Sequence, residues 1–294
     1  MGAVVVRADE DGASTIRREM RETFGTGARK LSTALSSSAS TWLISITAKP
    51  CRSPRSKLSC VAAACNRRIA PALLWRERGI GPRGVPYIAN RAEAVIGGAV
   101  ALEMLAAAHA TVDAAVIAAF ADPALGGARE LFTVPVIGLA EAGMLTACML
   151  GARFAIVTFA QAMEPWYREC VEWHGLERRC AGVRALGGAF RDIGSVQREK
   201  EELLVELAGR AVEEDRADVV VLAGAPLAGL AARVADRIPV PVVDCVAASV
   251  KQAEALVALR PRKAARGSYR RPDAKDSTGL DPALAAWIAH RPRA

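Results

Sequence analysis

Two segments of the chain, about a hundred residues apart, share one pattern, and this internal repeat constrains the fold more than any other feature. Residues 113–136 begin with an aspartate and an apolar run, turn at Pro123, and reach a second apolar run marked by proline. Residues 218–240 repeat this order and turn at Pro226. Such apolar runs are typical of parallel strands that helices cover on both faces. The repeat therefore predicts two similar βαβ halves whose equivalent strand ends face a shared cleft.

Strand-like and helix-like stretches alternate from Val85 to Leu259. This alternation predicts an α/β fold of two pseudo-symmetric, Rossmann-like (flavodoxin-like) halves, with parallel sheets and an interdomain cleft. We expect residues 41–137 and 243–259 to form the first half, whose N-terminal part is atypical. We expect residues 138–242 to form the second half.

The two ends of the chain differ from this regular part. Residues 1–40 lack apolar periodicity and include a serine-rich stretch, so they are expected to be a disordered lead-in. Residues 260–294 are expected to be a basic tail, in which residues 281–290 have the pattern of a short helix.

The positive charge of the chain lies at its ends. The net charge is +8 over 294 residues, yet residues 1–85 carry about +9, residues 260–294 about +6 and the residues between them about −7. A nucleic-acid surface needs its basic residues on the folded part, so nucleic acid is not an expected partner. The sequence has neither an apolar signal core nor an uninterrupted membrane-spanning stretch. We therefore expect a cytoplasmic protein without a membrane partner.

Seven cysteines and three histidines stand at irregular spacings. Cys60 and Cys65 are five residues apart and Cys170 and Cys180 are ten residues apart, and neither pair has the spacing of a zinc site. A Rossmann dinucleotide site would need Gly-x-Gly-x-x-Gly after a strand, which the sequence lacks. The sequence therefore predicts neither a metal nor a nucleotide cofactor.

Ligands of parallel α/β sheets bind beyond the carboxyl ends of the strands. Around these ends, six motifs resemble in order the aspartate/glutamate/hydantoin racemase superfamily, and hydantoin racemases most closely. They are GVPYIANRAE at residues 84–93, VIAAFADP at 116–123, VPVIGLAE at 134–141, RFAIVT at 153–158, VLAGAP at 221–226 and IPVPVVD at 238–244. The resemblance covers about 60% of the chain. It implies the same two-half fold that the repeat predicts.

The resemblance also implies racemisation without a cofactor, by two cysteines on opposite sides of the substrate carbon. One cysteine removes a proton as thiolate and the other returns one as thiol. Backbone amides of glycine-rich turns stabilise the oxyanion that forms between these steps. This chain has Ala119 and Gly224 at the two family cysteine positions. Neither side chain can move a proton, so this chemistry would need another acid and base here.

Three interpretations remain open. In the first, the chain is an isomerase or lyase for a hydantoin or amino-acid derivative, with Asp122 as the candidate catalytic residue and Thr158 as its companion. In the second, the chain binds such a small molecule without turning it over. In the third, another thiol takes over the proton transfer, and Cys245 is the candidate because a helix N-terminus favours thiolate.

The candidate substrate-binding residues stand at three of the strand ends: Phe120, Thr158, Gly224, Ala225 and Pro226. Glycine at position 224 permits close approach of the backbone to a carbonyl or an anion. The sequence is compatible with a homo-oligomer.

The family's first strand ends in an Asn-Pro-Asn-Thr loop, which this chain lacks near residues 43–47. A stretch rich in Arg, Ser and Cys separates that place from the well-matched Gly84. We hypothesise a disturbed reading frame or a wrong start upstream of Gly84.

Overall fold

A computed structural model describes residues 87–188 and 195–291 in full. It also describes the backbone of three N-terminal strands, β1 (Gly2–Val6), β2 (Trp42–Ile46) and β3 (Arg76–Arg78). The other elements are, in chain order, α1 (Arg91–Ala108), β4 (Ala114–Ile117), α2 (Leu125–Leu131), β5 (Val136–Gly138), α3 (Leu139–Leu150), β6 (Phe154–Thr158), α4 (Glu164–Trp173), β7 (Cys180–Ala185), α5 (Val196–Glu213), β8 (Val219–Leu222), α6 (Leu230–Val234), β9 (Val242–Asp244), α7 (Cys245–Leu259) and α8 (Pro282–Ile288).

The strands form two sheets with helices packed against them. The second sheet has the order β7-β6-β8-β9 and is parallel throughout. The first has the order β3-β1-β2-β4-β5, in which β1–β2 and β4–β5 are parallel pairs while β1–β3 and β2–β4 are antiparallel. The predicted α/β class with parallel sheets is confirmed, and the N-terminal strands add antiparallel pairs to it.

The internal repeat corresponds to two equivalent units, β4-α2-β5 and β8-α6-β9. In the first, Ala115 N donates a hydrogen bond of 2.9 Å to Pro135 O; in the second, Val220 N donates one of 2.9 Å to Pro241 O. Each of these prolines directly precedes its second strand, Pro135 before Val136 of β5 and Pro241 before Val242 of β9. The two sequence ranges place Pro135 opposite Pro239, so the structural equivalent lies two residues later.

Successive side chains of a strand point to opposite faces, and this divides the described core into separate clusters. Val116 and Val221 stand on different sheets and belong to one central cluster, which includes residues of α3 and α7. Ile117, on the other face of β4, packs with α1, α2 and α8. Val220, on the other face of β8, packs with α5 and α6. The central cluster therefore joins the two sheets.

The last helix packs on the outside of the first sheet. Trp287 of α8 donates from its indole N–H to Ala106 O at 3.3 Å. Its ring centroid lies 4.2 Å from that of His109 and 5.2 Å from that of Phe132. The Arg271 guanidinium lies 4.9 Å from the Trp287 ring centroid. The short helix predicted at the end of the chain is confirmed, and part of the basic tail is anchored on α1.

Helix α1 with the turn after it, residues 91–111, is long and apolar enough to cross a membrane by length and composition alone, with a mean hydropathy of 1.5. Within the described residues it packs against α2 and α8. Leu105 and Ala106 are buried there, as expected of a core helix.

The lead-in prediction for residues 1–40 is wrong at residues 2–6, which form β1 and pair with β2 and β3. Three consecutive valines favour a strand, and their run is too short to show a period. The rest of that segment and most of residues 47–86 lie outside the described residues.

Candidate active site

The predicted strand ends lie in two groups. β6, β8 and β9 are parallel neighbours, so Thr158, Ala223 and Asp244 stand at one edge of the second sheet. Residues 118–122 leave β4 at the carboxyl edge of the first sheet. Both groups adjoin the central cluster, which contains Phe120 and Ala223.

A chain of side-chain contacts joins these two groups. The Phe120 ring packs on Tyr167 of α4, with centroids 4.7 Å apart and planes tilted by 56°. The Tyr167 hydroxyl faces the Thr158 side chain, and the Thr158 hydroxyl donates to Ala223 O at 3.3 Å. This series of contacts runs from Phe120, directly after the first family cysteine position, to Ala223, directly before the second. Burial raises the pKa of Tyr167, so its hydroxyl stays protonated at neutral pH.

The backbone at Gly224 has a conformation that few residues other than glycine adopt. Its φ is 117° and its ψ 136°. A Cβ atom added there would lie 3.2 Å from Cε1 of the Phe159 ring. A cysteine at this position would therefore be strained by its backbone and crowded by the ring.

The turn after β8 presents backbone amides. Gly224 O accepts a hydrogen bond of 2.9 Å from Leu227 N, and Ala225 O one of 3.0 Å from Ala228 N. Among the residues that the structure describes, none accepts a hydrogen bond from Gly224 N or Ala225 N. Two adjacent amides of this kind can bind a carbonyl or carboxylate oxygen.

The turn after β4 is held in left-handed backbone conformations without glycine. The φ angles are 78° at Ala121, 53° at Asp122 and 63° at Ala124. Asp122 N donates to Ala119 O at 3.0 Å, which closes the turn. Such conformations persist where the surroundings hold them, and they are common at functional sites. Ala119 itself is buried and offers only a methyl group.

The Asp122 side chain is fully buried and points at the start of α3. Its Oδ1 accepts a hydrogen bond of 2.8 Å from Ala140 N, and its Oδ2 one of 2.8 Å from Glu141 N. First-turn amides have no acceptor within their own helix, and Gly138 before α3 has no side chain to cap them. Asp122 therefore caps α3 from a distant segment, where its charge suits the helix dipole.

Gly138 leaves room for this carboxylate. A Cβ atom at position 138 would overlap the Asp122 carboxylate and would lie 2.7 Å from Leu125 Cδ2. The cap and the glycine are therefore coupled, although they are far apart in the sequence.

A cluster of ionisable side chains surrounds the cap. His174 Nε2 lies 3.0 Å from Asp122 Oδ2, and His174 Nδ1 lies 3.7 Å from Glu141 Oε1. Arg129 holds both oxygens of Glu141, with Nη1 2.8 Å from Oε1. Its Nε donates to Val136 O at 2.9 Å. The imidazole thus stands between two carboxylates, one of which is fixed by arginine.

The thiols near this cluster are buried. Burial raises the pKa of Cys170, and the carboxylates of Asp122 and Glu141 raise it further. Burial raises the pKa of Cys245 well above its usual range, and its Sγ donates to Leu222 O at 3.3 Å. Both therefore remain thiols at neutral pH, and the helix start at Cys245 does not overcome its burial.

The metal-ligating atoms of Asp122, Cys170 and His174 lie within 4.8 Å of one another, a grouping that sequence spacing could not reveal. The carboxylate and the imidazole already bond to each other, and the carboxylate also bonds to the amides of α3. These bonds account for the arrangement without an ion.

The predicted site residues divide into two sets. Phe120, Thr158, Gly224 and Ala225 belong to the linked strand ends, and Pro226 continues the second turn. Asp122 and Cys245 have their polar atoms directed elsewhere, Asp122 toward α3 and Cys245 toward the backbone of β8.

Sequence reasoning missed His174, Tyr167 and Gln197. His174 stands at the end of α4, and nothing in its spacing links it to the aspartate at 122. Tyr167 is one of several aromatic residues at helical spacing in α4, a pattern typical of the core or an interface, and this pattern does not show that its hydroxyl faces Thr158. Gln197 is one polar residue among many in α5, and no sequence pattern connects it with the turn after β8.

Comparisons with known proteins agree with this architecture. The model of the family described as Asp/Glu/hydantoin racemase matches residues 56–253, so the likeness extends upstream of Gly84. The chain is 35% identical over 168 residues to a hydantoin racemase from Pseudomonas sp. (strain NS671), which covers 57% of this chain and 68% of that protein. It is 34% identical over 163 residues to a hydantoin racemase from Paenarthrobacter aurescens, covering 55% and 69% of the two chains.

Solved structures show the same relationship. An allantoin racemase from Klebsiella pneumoniae superimposes with a TM-score of 0.64 at 35% identity, over 68% of this chain and 82% of that one. An allantoin racemase from Pseudomonas fluorescens gives 0.63 at 31% identity, over 67% and 83%. The repeat, the ordered motifs and these likenesses lead to one conclusion: the chain belongs to the Asp/Glu/hydantoin racemase family.

Proposed function

We propose that this protein is a cofactor-independent isomerase of the racemase type. Its substrate is a hydantoin-like ring or a related amino-acid derivative, and it exchanges the proton on the carbon next to a carbonyl. The observation that carries the proposal is the series of contacts through Tyr167 and Thr158. These contacts join the turns that bear the two family cysteine positions, and thereby keep the framework of such a site.

The amides of Gly224 and Ala225 supply the first part of the chemistry. A substrate carbonyl oxygen bonded to both gains negative charge when a base removes the neighbouring proton, because the electron pair of the C–H bond moves into the carbonyl. Amides already fixed in place stabilise that charge. Return of a proton to the opposite face of the planar carbon completes the inversion.

The proton carriers must be groups other than the family cysteines. Asp122 is our candidate base, with His174 bonded to it as a second site for the proton. Asp122 would have to release one amide of α3 before it could accept a proton from a substrate. The Tyr167 hydroxyl, beside Thr158, is the candidate donor on the other side; the phenolate that it leaves takes a proton from water, and Asp122 returns its proton to water, before the next turnover.

The test is proton exchange in heavy water. The purified protein is incubated with 5-substituted hydantoins, allantoin and free amino acids, and the signal of the proton next to the carbonyl is followed by NMR. We expect this signal to disappear for at least one ring compound. Asp122→Asn should abolish the exchange, whereas Asp236→Asn, which changes an exposed aspartate, should not.

Ligand binding without turnover is the second candidate function, and one observation favours it. Both carboxylate oxygens of Asp122 are committed to α3, so the candidate base has a structural role already. Under this alternative, calorimetric titration would detect binding of a hydantoin while its proton signal in heavy water stayed constant. Exchange by the wild-type protein would exclude the alternative.

A further inference from the structure

We propose that Gln197 is a positioning residue, which holds the turn after β8 in the shape that presents the Gly224 and Ala225 amides to a ligand. The inference rests on the proposed function in one respect, namely that a carbonyl compound binds at this turn. Gln197 is the second residue of α5 and is only 6% exposed. It lies far from the turn in sequence and carries no charge of its own.

Every polar atom of the Gln197 side chain has a partner. Its Nε2 donates to Pro226 O at 2.7 Å and to Ala228 O at 2.9 Å. Its Oε1 accepts from Arg233 Nη1 at 2.8 Å. Because an arginine can only donate, Arg233 determines which end of the amide faces the turn. Both hydrogens of the NH₂ group are therefore directed at carbonyl oxygens of the turn.

The rest of the turn is held from other directions. Gly224 O and Ala225 O accept hydrogen bonds from amides inside the turn. Gly229 N donates to Asp244 Oδ2 at 2.5 Å. The carbonyl oxygens of residues 224, 225, 226 and 228 therefore each accept a hydrogen bond. Within the described part of the protein, the amides of Gly224 and Ala225 at the start of the turn have no acceptor.

This arrangement needs support from outside the turn. Gly224 has a φ of 117°, which lies outside the favoured regions of the backbone. Without the Gln197 donors, the carbonyl oxygens of Pro226 and Ala228 would lose their partners beside the buried start of α5. Their peptide planes would then rotate toward other donors, and the amides before them would turn with them.

Gln197→Glu tests this role with almost no change of volume. The glutamate keeps an acceptor for Arg233 but presents an oxygen where two carbonyl oxygens need a donor. 5-Methylhydantoin and allantoin are titrated separately into the ¹⁵N-labelled full chain. We expect the affinity to fall about tenfold, and the ligand-induced shifts of the Gly224 and Ala225 amide signals to disappear.

The matched control is Glu202→Gln on the same helix. Glu202 pairs with Arg237 at the surface and does not contact the turn. This variant should bind as the wild type does. Equal losses in both variants would mean that α5 matters only as a whole, which would overturn the positioning role.

A pH profile separates positioning from a merely structural effect. Lowering the pH from about 8 to about 5 should restore part of the affinity of Gln197→Glu, because a protonated carboxyl can donate one hydrogen bond to the turn. If that variant does not fold, Gln197→Met replaces it, with the same expected loss and no recovery at low pH.

Two failures are distinguishable. If the wild type binds the ligand and Gln197→Glu binds it equally well, the inference is overturned and the proposed function stays intact. Absence of any binding by the folded wild type would overturn the proposed function, and the inference with it.

Discussion

At the scale of single residues, Gly138 determines whether Asp122 can cap α3. A methyl group at position 138 would overlap the carboxylate and crowd Leu125. We expect Gly138→Ala to lower the free energy of unfolding by about 2–4 kcal/mol, because either the cap or the strand must move. Urea unfolding followed by circular dichroism measures the loss.

Gly127→Ala is the matched control. Gly127 lies inside α2, and an added Cβ would meet nothing within 4 Å. We expect it to raise the free energy of unfolding by up to about 1 kcal/mol, as alanine does in a helix interior. Similar losses in the two variants would contradict the role of Gly138.

The two family cysteine positions should respond differently when a thiol is restored. Ala119→Cys adds one sulfur atom at an ordinary alanine, whereas Gly224→Cys forces a side chain into a left-handed conformation beside Phe159. We expect Gly224→Cys to cost about 1–3 kcal/mol of stability and Ala119→Cys less. The double variant should exchange the hydantoin proton faster than either single variant. An equal thermal shift for the two single variants would argue against the strain.

Single residues were only partly predictable from the sequence. The strand-end residues Phe120, Thr158 and Gly224 follow from the family motifs and from the rule that ligands bind beyond strand ends. The cap formed by Asp122 could not be foreseen, because its partners are backbone amides 18 and 19 residues away. The partners of His174 and Gln197 are equally remote, and no local pattern encodes them.

At the scale of elements, the docking of α8 on α1 should depend on pH. His109, directly after α1, packs against the Trp287 ring and hydrogen-bonds to Thr133 Oγ1 at 2.9 Å. Burial, together with the charge of Arg271, lowers the pKa of His109 from 6.5 to about 4. As the pH falls below about 6.5, the unfolded chain takes up a proton that the folded one resists. The contribution to stability is therefore complete above this pH and is lost as the pH falls toward about 4.

The urea midpoint at several pH values checks this prediction. The wild type should lose stability between about pH 6.5 and about pH 4, and His109→Gln, which does not titrate there, should lose less. Parallel slopes for the two proteins would mean that His109 does not contribute.

Most elements from α1 onward are where the sequence predicts them, because apolar periods and glycine stops are local signals. One stretch departs from a regular helix: residues 225–237 form α6 with a 3-10 turn on each side. Pro226 and Gly229, whose φ is 80°, interrupt the helix and shape the binding turn. The local rules failed where the candidate site required an irregular backbone.

At the scale of the whole molecule, the shared central cluster should make the two sheets unfold together. Val116 of the first sheet and Val221 of the second belong to one buried cluster. The helices α3 and α7 each contact strands of both sheets. We expect a single transition in urea, with tryptophan fluorescence and far-ultraviolet circular dichroism giving the same midpoint. Two separated transitions would mean that the halves are independent.

The two halves of the repeat support their turns in different ways, and this bears on stereochemistry. After β4 the turn has left-handed alanines and a carboxylate turned toward α3, whereas after β8 it offers two amides in a turn whose carbonyl oxygens accept from Gln197. A racemisation has an equilibrium constant of one, so kcat/KM must be equal for the two enantiomers, whereas KM and kcat can each differ between them. We therefore expect one enantiomer of a chiral hydantoin to bind more tightly than the other, and the enantiomer that binds more tightly to turn over more slowly.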